Sequence, residues 1–315
     1  MKTLVTGAAG FVGSHLCEDL VRRGDTVVGL DCFLDNYDRA LKEAHLAGLA
    51  AEARFELVEA AILDADLARL LDGVDRVFHL AALPGVRPSW GRTFADYLSH
   101  NVMSTQALLE ACKDAGIQRF VYASSSSVYG DTDVLPMRED AATRPFSPYG
   151  VTKLAAEHMV RLYHRNFGVP TVIVRYFTVY GPRQRPDMAI QRFLLAARDA
   201  TAIRVFGDGL QSRDFTYVGD IVEGTRRAAE TGRVGTVYNI GGGSRVSLNR
   251  LITLIETVSG VNLQVNHEAG KPGDVRSTVA DCCLAQDILD FVPETSLEEG
   301  LAKQWEWLAA ADSGI

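Results

Sequence analysis

LVTGAAGFVG, residues 4–13, sets Gly7, Gly10 and Gly13 at spacings of three between a short apolar run and a periodic stretch that begins at Phe11. A strand that hands over to a helix through such a turn makes a phosphate cradle. Gly7 permits the tight turn, Gly10 lets the backbone approach a pyrophosphate, and Gly13 lets the helix lie close against the sheet. The helix N-terminus, with Phe11 and Val12 in its first turn, then offers free N–H groups and a partial positive charge to the phosphates. Three glycines alone are a weak signal, and the surroundings strengthen it. Residues 4–6 are apolar, residues 11–21 carry helical periodicity, and residues 26–30 read as a second strand that ends in Asp31. Asp31 follows Gly13 by 18 residues, where a carboxylate accepts hydrogen bonds from an adenosine ribose. It would repel a 2′-phosphate, so NAD is expected rather than NADP.

A chain of 315 residues can bury a full core, as two domains or one large one. Hydrophobic residues make up 47% and charged residues 23%, which leaves no room for a long disordered tail. The net charge of −8 speaks against a nucleic-acid surface, which would need a basic stripe. The five cysteines, Cys17, Cys32, Cys112, Cys282 and Cys283, are odd in number and lack C-x-x-C spacing. Neither a disulfide framework nor a metal site is expected, and a reducing cytoplasm fits. No apolar run reaches the roughly 18 residues of a membrane span, so no membrane is expected as a partner.

Further along, strands are expected near 54–58, 76–82, 119–124 and 170–177, and helices at 64–71, 93–115 and 149–167. This alternation implies an α/β fold, a Rossmann-type doubly wound parallel sheet, with ligands gathered at the carboxyl ends of its strands. Beyond Phe177 the pattern loosens, and a run of three glycines at 241–243 precedes one more helix. The expected division is a cofactor domain over 1–177, joined by part of 214–243. A smaller mixed α/β substrate-binding domain takes 178–213 and 244–315.

Two clusters carry chemistry: four serines, Ser124 to Ser127, at a strand end, and Tyr149-Gly-Val-Thr-Lys153 at a helix start. Positions four apart share a helix face, so Lys153 stands one turn behind Tyr149. A tyrosine with its ordinary pKa near ~10 is a poor base at neutral pH, and a nearby ammonium favours the phenolate. Tyr149 is then a candidate to remove a hydroxyl proton while a hydride leaves the same carbon.

Several stretches carry a resemblance: TGAAGFVGSHL (6–16), SSSSVYG (124–130), YGVTK (149–153), RYFTVYGPRQRPDMA (175–189), RDFTYVGDIVEG (213–224) and GDVRSTVAD (273–281). Together they resemble the extended short-chain dehydrogenase/reductase family, the NAD-dependent sugar-nucleotide epimerases and dehydratases, over nearly the whole chain. The resemblance implies that Ser125, Tyr149 and Lys153 are the catalytic set. It also implies cofactor contacts from Ile62, the backbone at Leu80, Ala81 and Ala82, Asn101, and Phe177 beside the nicotinamide. Arg213 and Arg276 fall on the arginines that neutralise a nucleotide-sugar diphosphate. Ala61 and Cys32 depart from the pattern, where many relatives carry Asp and Asn, which implies weaker adenine retention. Family members commonly pair as homodimers through a four-helix bundle, and residues 93–115 and 149–167 occupy the matching places.

The 4,6-dehydratases carry Asp-Glu where this chain has Ser126 and Ser127, which cannot act as acid and base for water elimination near neutral pH. The stretches GLDCFLDNYD (29–38), LPGVRPS (83–89), FTVYGP (177–182) and RPDMA (185–189) look most like UDP-glucuronate 4-epimerases. Oxidation at C4 of a hexuronate makes a β-keto acid, which loses carbon dioxide when its carboxylate bond stands perpendicular to the carbonyl plane. Ser126, Ser127 and Thr178 are candidates to hold that carboxylate in another orientation by neutral hydrogen bonds, with Arg185 and Arg87 as nearby anion contacts. A UDP-sugar is thus the expected partner. A UDP-glucose 4-epimerase, a UDP-glucuronate decarboxylase and a non-catalytic dinucleotide-binding sensor module remain the alternatives.

Overall fold

The computed structural model describes residues 1–269 and 275–312. Gly273 and Asp274 of the GDVRSTVAD stretch, and residues 313–315 of the expected second domain, lie outside the described residues.

Twelve strands occur among the described residues: β1 (Lys2–Thr6), β2 (Thr26–Asp31), β3 (Phe55–Glu59), β4 (Arg76–His79), β5 (Arg119–Ser125), β6 (Thr171–Tyr176), β7 (Thr178–Tyr180), β8 (Ile203–Phe206), β9 (Ser212–Tyr217), β10 (Val237–Ile240), β11 (Ser244–Ser247) and β12 (Val265–Glu268). Seven of them form one sheet in the order β10-β6-β5-β4-β1-β2-β3, with every neighbouring pair parallel. Strand order reverses between β1 and β4, and a crevice opens there at the carboxyl ends.

Alternation along the strands explains the two-sided burial. Leu4, Phe120, Tyr122 and Ile173 enter one apolar cluster, and Val5, Val121, Ala123, Val172 and Val174 enter another. Successive side chains of a strand point to opposite faces, so a sheet covered by helices on both sides reads as an unbroken apolar run. A third cluster holds Tyr180, Ile190, Phe193, Val205, Phe215, Leu251 and Ile255. Around it lie the β11-β9-β7 sheet and the β8–β12 pair.

The expected helix over 93–115 differs in detail. It is a 3₁₀ turn at Gly91–Thr93, an α segment Phe94–Tyr97, a π segment Leu98–Met103 and an α segment Ser104–Cys112. The wide turn has a local cause. The Ser104 hydroxyl donates to the Ser99 carbonyl five residues back, and Asn101 is drawn inward onto the chain after β4. The strand expected at 76–82 ends at His79, because residues 80–82 leave the sheet to pass over Gly7. After the glycines at 241–243, β11 precedes the expected helix, which spans Leu248–Ser259.

Candidate active site

The glycine turn has little room for anything else. Gly7 sits at φ +74°, and a Cβ there would come within 2.9 Å of the Ala81 nitrogen. A Cβ on Gly13 would lie 2.0 Å from the Gly7 carbonyl oxygen. The turn is tied to β2 as well. Gly7 N–H donates to the Leu30 carbonyl at 2.8 Å, and the Asp31 carboxylate accepts from Ala9 N–H at 3.0 Å and Phe33 N–H at 2.8 Å. Burial pushes the Asp31 carboxyl above its usual range, while these two amides and Lys42 oppose the shift.

A cavity of about 210 Å³ lies over this turn. Gly7, Gly10, Phe11, Val12, Gly13, Asp31, Ile62, Leu80, Ala81, Ala82, Tyr149 and Lys153 all line it, as does Cys32. Asn101 and Phe177 are the exceptions: Phe177 faces only the adjoining cleft, and Asn101 is buried behind the cavity. Its Oδ1 accepts from Leu83 N–H at 2.7 Å, and its Nδ2 donates to the Leu83 carbonyl and the Thr152 hydroxyl. Asn101 therefore fastens the loop that follows β4 to the helix Pro148–Phe167.

A larger cleft of about 870 Å³ adjoins this cavity, and Phe11, Val12, Asn36, Pro84, Ser124, Tyr149, Tyr176 and Arg185 line both. Ser125, Ser126, Ser127, Phe177, Thr178, Arg87 and Arg213 also face the cleft. Ser125 and Ser127 share a hydroxyl hydrogen bond of 3.1 Å, and Ser125 Oγ accepts from Ser127 N–H at 3.2 Å. β5 ends at this point, so the side chain of its last residue, Ser125, is delivered to the cleft, while the Ser124 hydroxyl turns inward to Glu157. Phe177 is 3% exposed and packs with Val128, Tyr129 and Met137 beneath it.

The helix Pro148–Phe167 is capped by Ser147, whose hydroxyl accepts from Gly150 N–H at 3.1 Å, and carries proline at its first position. That fixes where Tyr149 stands. Its ring meets Tyr97 edge-on at 6.3 Å, and its phenol hydrogen-bonds Ser125. Lys153 is buried, donates to the Ala123 carbonyl at 2.5 Å and lies 4.6 Å from the Tyr122 ring centre.

The charge states differ from the simple expectation that Lys153 draws the Tyr149 phenol down. Burial pushes the phenol up, against smaller opposing effects of the Ser125 hydrogen bond and the Arg185 guanidinium. Lys153 is itself lowered by burial to about 7, with Glu157 opposing. An ammonium that is only part-time charged offers less help to a phenolate, and other positive charge must add to it.

The arginines divide. Burial works against the charge of Arg185, and the Asp187 carboxylate, paired at 2.9 Å, more than offsets it. Arg87 lies 4.4 Å from the Phe206 ring centre. Arg213 donates to the Ser212 carbonyl within the cleft wall. Arg276 stands at the exposed rim and pairs with Asp208 at 3.1 Å, outside the residues that line the cleft. Sequence reading missed Arg192 and Arg204, which line the cleft. Burial lowers Arg192, as do the neighbouring charges of Arg204 and Arg87. The strand alternation Ile203-Arg204-Val205 held a signal for Arg204, whereas Arg192 lies in an ordinary amphipathic helix. Lys42, which donates to the Leu34 carbonyl and to Asn36 Oδ1, was missed too, four residues past the GLDCFLDNYD stretch.

Residues 3–241 match the NAD dependent epimerase/dehydratase family. The chain belongs to that family. Among relatives of this epimerase/dehydratase chain, YtcB of Bacillus subtilis, named an uncharacterized UDP-glucose epimerase, is 46% identical over the full length of both. A UDP-glucuronate 4-epimerase of Thermodesulfobacterium geofontis is 38% identical over 96% of this chain and 95% of its own. The crystal structure of UDP-glucuronic acid 4-epimerase from Bacillus cereus with UDP-glucuronic acid and NAD superposes with a TM-score of 0.96. It is 44% identical, over 99% of this family member and 100% of that chain. Among the described residues, no group of three or more His, Cys, Asp or Glu is arranged to hold a metal ion. No helix among them is long and apolar enough to cross a membrane.

Proposed function

We propose that this protein catalyses the NAD-dependent 4-epimerisation of a UDP-hexuronate, converting UDP-glucuronate to UDP-galacturonate through a 4-keto sugar without loss of carbon dioxide. One observation carries the reading: Tyr149, the hydroxyls of Ser125, Ser126, Ser127 and Thr178, and Arg185 line a single cleft that opens onto the glycine cradle. That cradle fits NAD, because its glycines leave backbone where a side chain would fill the space, and Asp31 ends β2 beside it. When bound, NAD supplies the acceptor and then the donor of the sugar C4 hydride.

The residues of the chain do the rest. Tyr149 takes the C4 hydroxyl proton at its phenol oxygen and later returns one, with Ser125 steadying the reacting oxygen. Arg213 and Arg276 bind the diphosphate while the 4-keto sugar turns about that linkage to present its other face. Ser126, Ser127 and Thr178 hold the carboxylate away from the orientation that favours its loss, with Arg185 and Arg87 balancing its charge. The cofactor-binding part is 1–177 with part of 214–243, and 178–213 with 244–315 bind the nucleotide sugar.

The test is incubation of the purified protein with UDP-glucuronate and NAD, followed by proton NMR of the sugar, with UDP-glucose in parallel. UDP-galacturonate without carbon dioxide or net NADH is the expected outcome. A UDP-pentose would move the assignment to a decarboxylase, and turnover of UDP-glucose alone would make it a neutral-hexose epimerase.

The protein pairs as a homodimer through a four-helix bundle. Supporting this, Leu98 and Met103 on one helical run, and Val151 and Leu162 on the helix Pro148–Phe167, are large apolar side chains left exposed. The two runs are joined by the Gln106 to Tyr163 hydrogen bond of 3.0 Å. Light scattering at micromolar concentration is expected to give twice the chain mass, and a monomer would sink the proposal. The five free cysteines support a reducing, cytoplasmic setting.

A further inference from the structure

Beneath the cleft lies a buried charged network that the reaction scheme does not use. Glu157 and Arg175 form a two-pronged ion pair, Nε to Oε1 at 2.9 Å and Nη2 to Oε2 at 2.8 Å, with the side chains 1% and 2% exposed. Arg175 also donates to the Glu139 carbonyl at 3.1 Å and lies 4.7 Å from the Tyr129 ring centre. A buried pair of this kind is an expensive way to fill space, since apolar residues of similar volume often serve stability as well or better.

Its position gives it a use. Tyr149, Lys153 and Glu157 occupy successive turns of one helix face, and they grip three consecutive residues of β5. Tyr149 hydrogen-bonds Ser125, Lys153 donates to the Ala123 carbonyl, and Glu157 accepts from the Ser124 hydroxyl at 2.5 Å. Among the described residues, no carboxylate is bonded to Lys153. The groups that act on it are Glu157 on its own helix, Tyr122 on β5 and His79 on β4; Tyr149 on its own helix and Tyr176 on β6 line the same cavity, and Arg175 on β6 is paired with Glu157. Burial holds His79 neutral, with its pKa lowered to about 3, and places Tyr122 well above the ordinary tyrosine range. Glu157 is thus the carboxylate within this set.

We propose that Glu157 is a positioning residue for the reaction. From one turn beyond Lys153 its carboxylate favours the charged ammonium over the neutral amine, and through Ser124 it holds β5 in register with Tyr149. This rests on the reading of Tyr149 and Lys153 given above. Burial alone drives Lys153 toward its neutral form, and the Glu157 carboxylate is the counterweight.

The experiment is the pH profile of kcat on UDP-glucuronate with saturating NAD. It is recorded for the parent, for Glu157→Gln and for the double variant Glu157→Gln/Arg175→Met, with thermal melting of each. Lys153 loses its proton as pH rises, so removing the carboxylate moves the alkaline limb to lower pH, by about one unit, with KM little changed. The double variant, which leaves no lone buried arginine, keeps the test alive if the single variant does not fold; its limb is expected to move in the same direction because the Glu157 carboxylate is the charge that opposes the burial of Lys153. A folded variant whose limb superposes on that of the parent overturns the proposal, even where its kcat is reduced. Lys153→Met is measured alongside. If it is nearly inactive while the Glu157 profile is unmoved, only the role of Glu157 fails; if it works like the parent, the reading of the site fails with it.

Discussion

Tyr149→Phe is expected to lower kcat on UDP-glucuronate by about 10²-fold or more while KM stays close to that of the parent, as for loss of an acid–base group. The ring is retained, so its edge-on contact with Tyr97 at 6.3 Å survives, and the substrate anchors at the far end of the cleft are untouched. What disappears is the phenol oxygen that hydrogen-bonds Ser125 and stands between the two cavities. Ser125 keeps its hydroxyl hydrogen bond to Ser127 but loses the phenol with which it would share the reacting proton. Steady-state kinetics with a melting curve decide the matter. A variant within a few-fold of the parent would remove Tyr149 from the acid–base role, and a large rise in KM would make it a binding residue instead.

Gly13→Ala is the second large effect, and it acts through space alone. The added methyl would sit 2.0 Å from the Gly7 carbonyl oxygen and 2.8 Å from its carbon. Both are backbone atoms of the turn, so no side-chain rotation relieves the clash, and the helix Phe11–Arg22 has to back away from β1. Overpacking of this kind costs about 1–3 kcal/mol. The functional loss is larger, because the same displacement moves the helix N-terminus out of the cradle. NAD affinity, measured by calorimetry on protein stripped of cofactor, is expected to fall about tenfold or more, the equivalent of at least ~1.4 kcal/mol. Unchanged affinity in a folded variant would mean that the cofactor does not lie against this turn.

The two effects come from different levels of the chain. The spacing of Gly7, Gly10 and Gly13, and the interval to Asp31, are written in the linear sequence because a strand-turn-helix unit is local: its few residues dictate backbone shape directly. The parallel sheet was legible for the same reason, since strands buried on both faces read as apolar runs alternating with helices. Local signals also carried the Tyr149–Lys153 spacing and the hydroxyl-rich end of β5. They were weaker at the first long helix, where the inward pull of Asn101 and the Ser104 to Ser99 bond open a π turn that periodicity does not register. They carried almost nothing about Arg192 and Arg204. Those residues gain meaning only when the helix Ala189–Arg198 and β8 are folded over the cleft.

By itself, then, the sequence determined the cradle, the sheet that carries it and the tyrosine–lysine pair, because each is a pattern of near neighbours. The tertiary structure decided the electrostatics. Burial of Lys153 takes its pKa to about 7, and burial of Tyr149 pushes its phenol upward, opposite to what an exposed pair at the same spacing would do. Those shifts depend on how much water is excluded and on which charges arrive from elsewhere in the chain: Arg185 from beyond β7, and Arg175 from β6 to meet Glu157. Desolvation and long-range pairing are properties of the packed molecule, and no spacing along the chain encodes them.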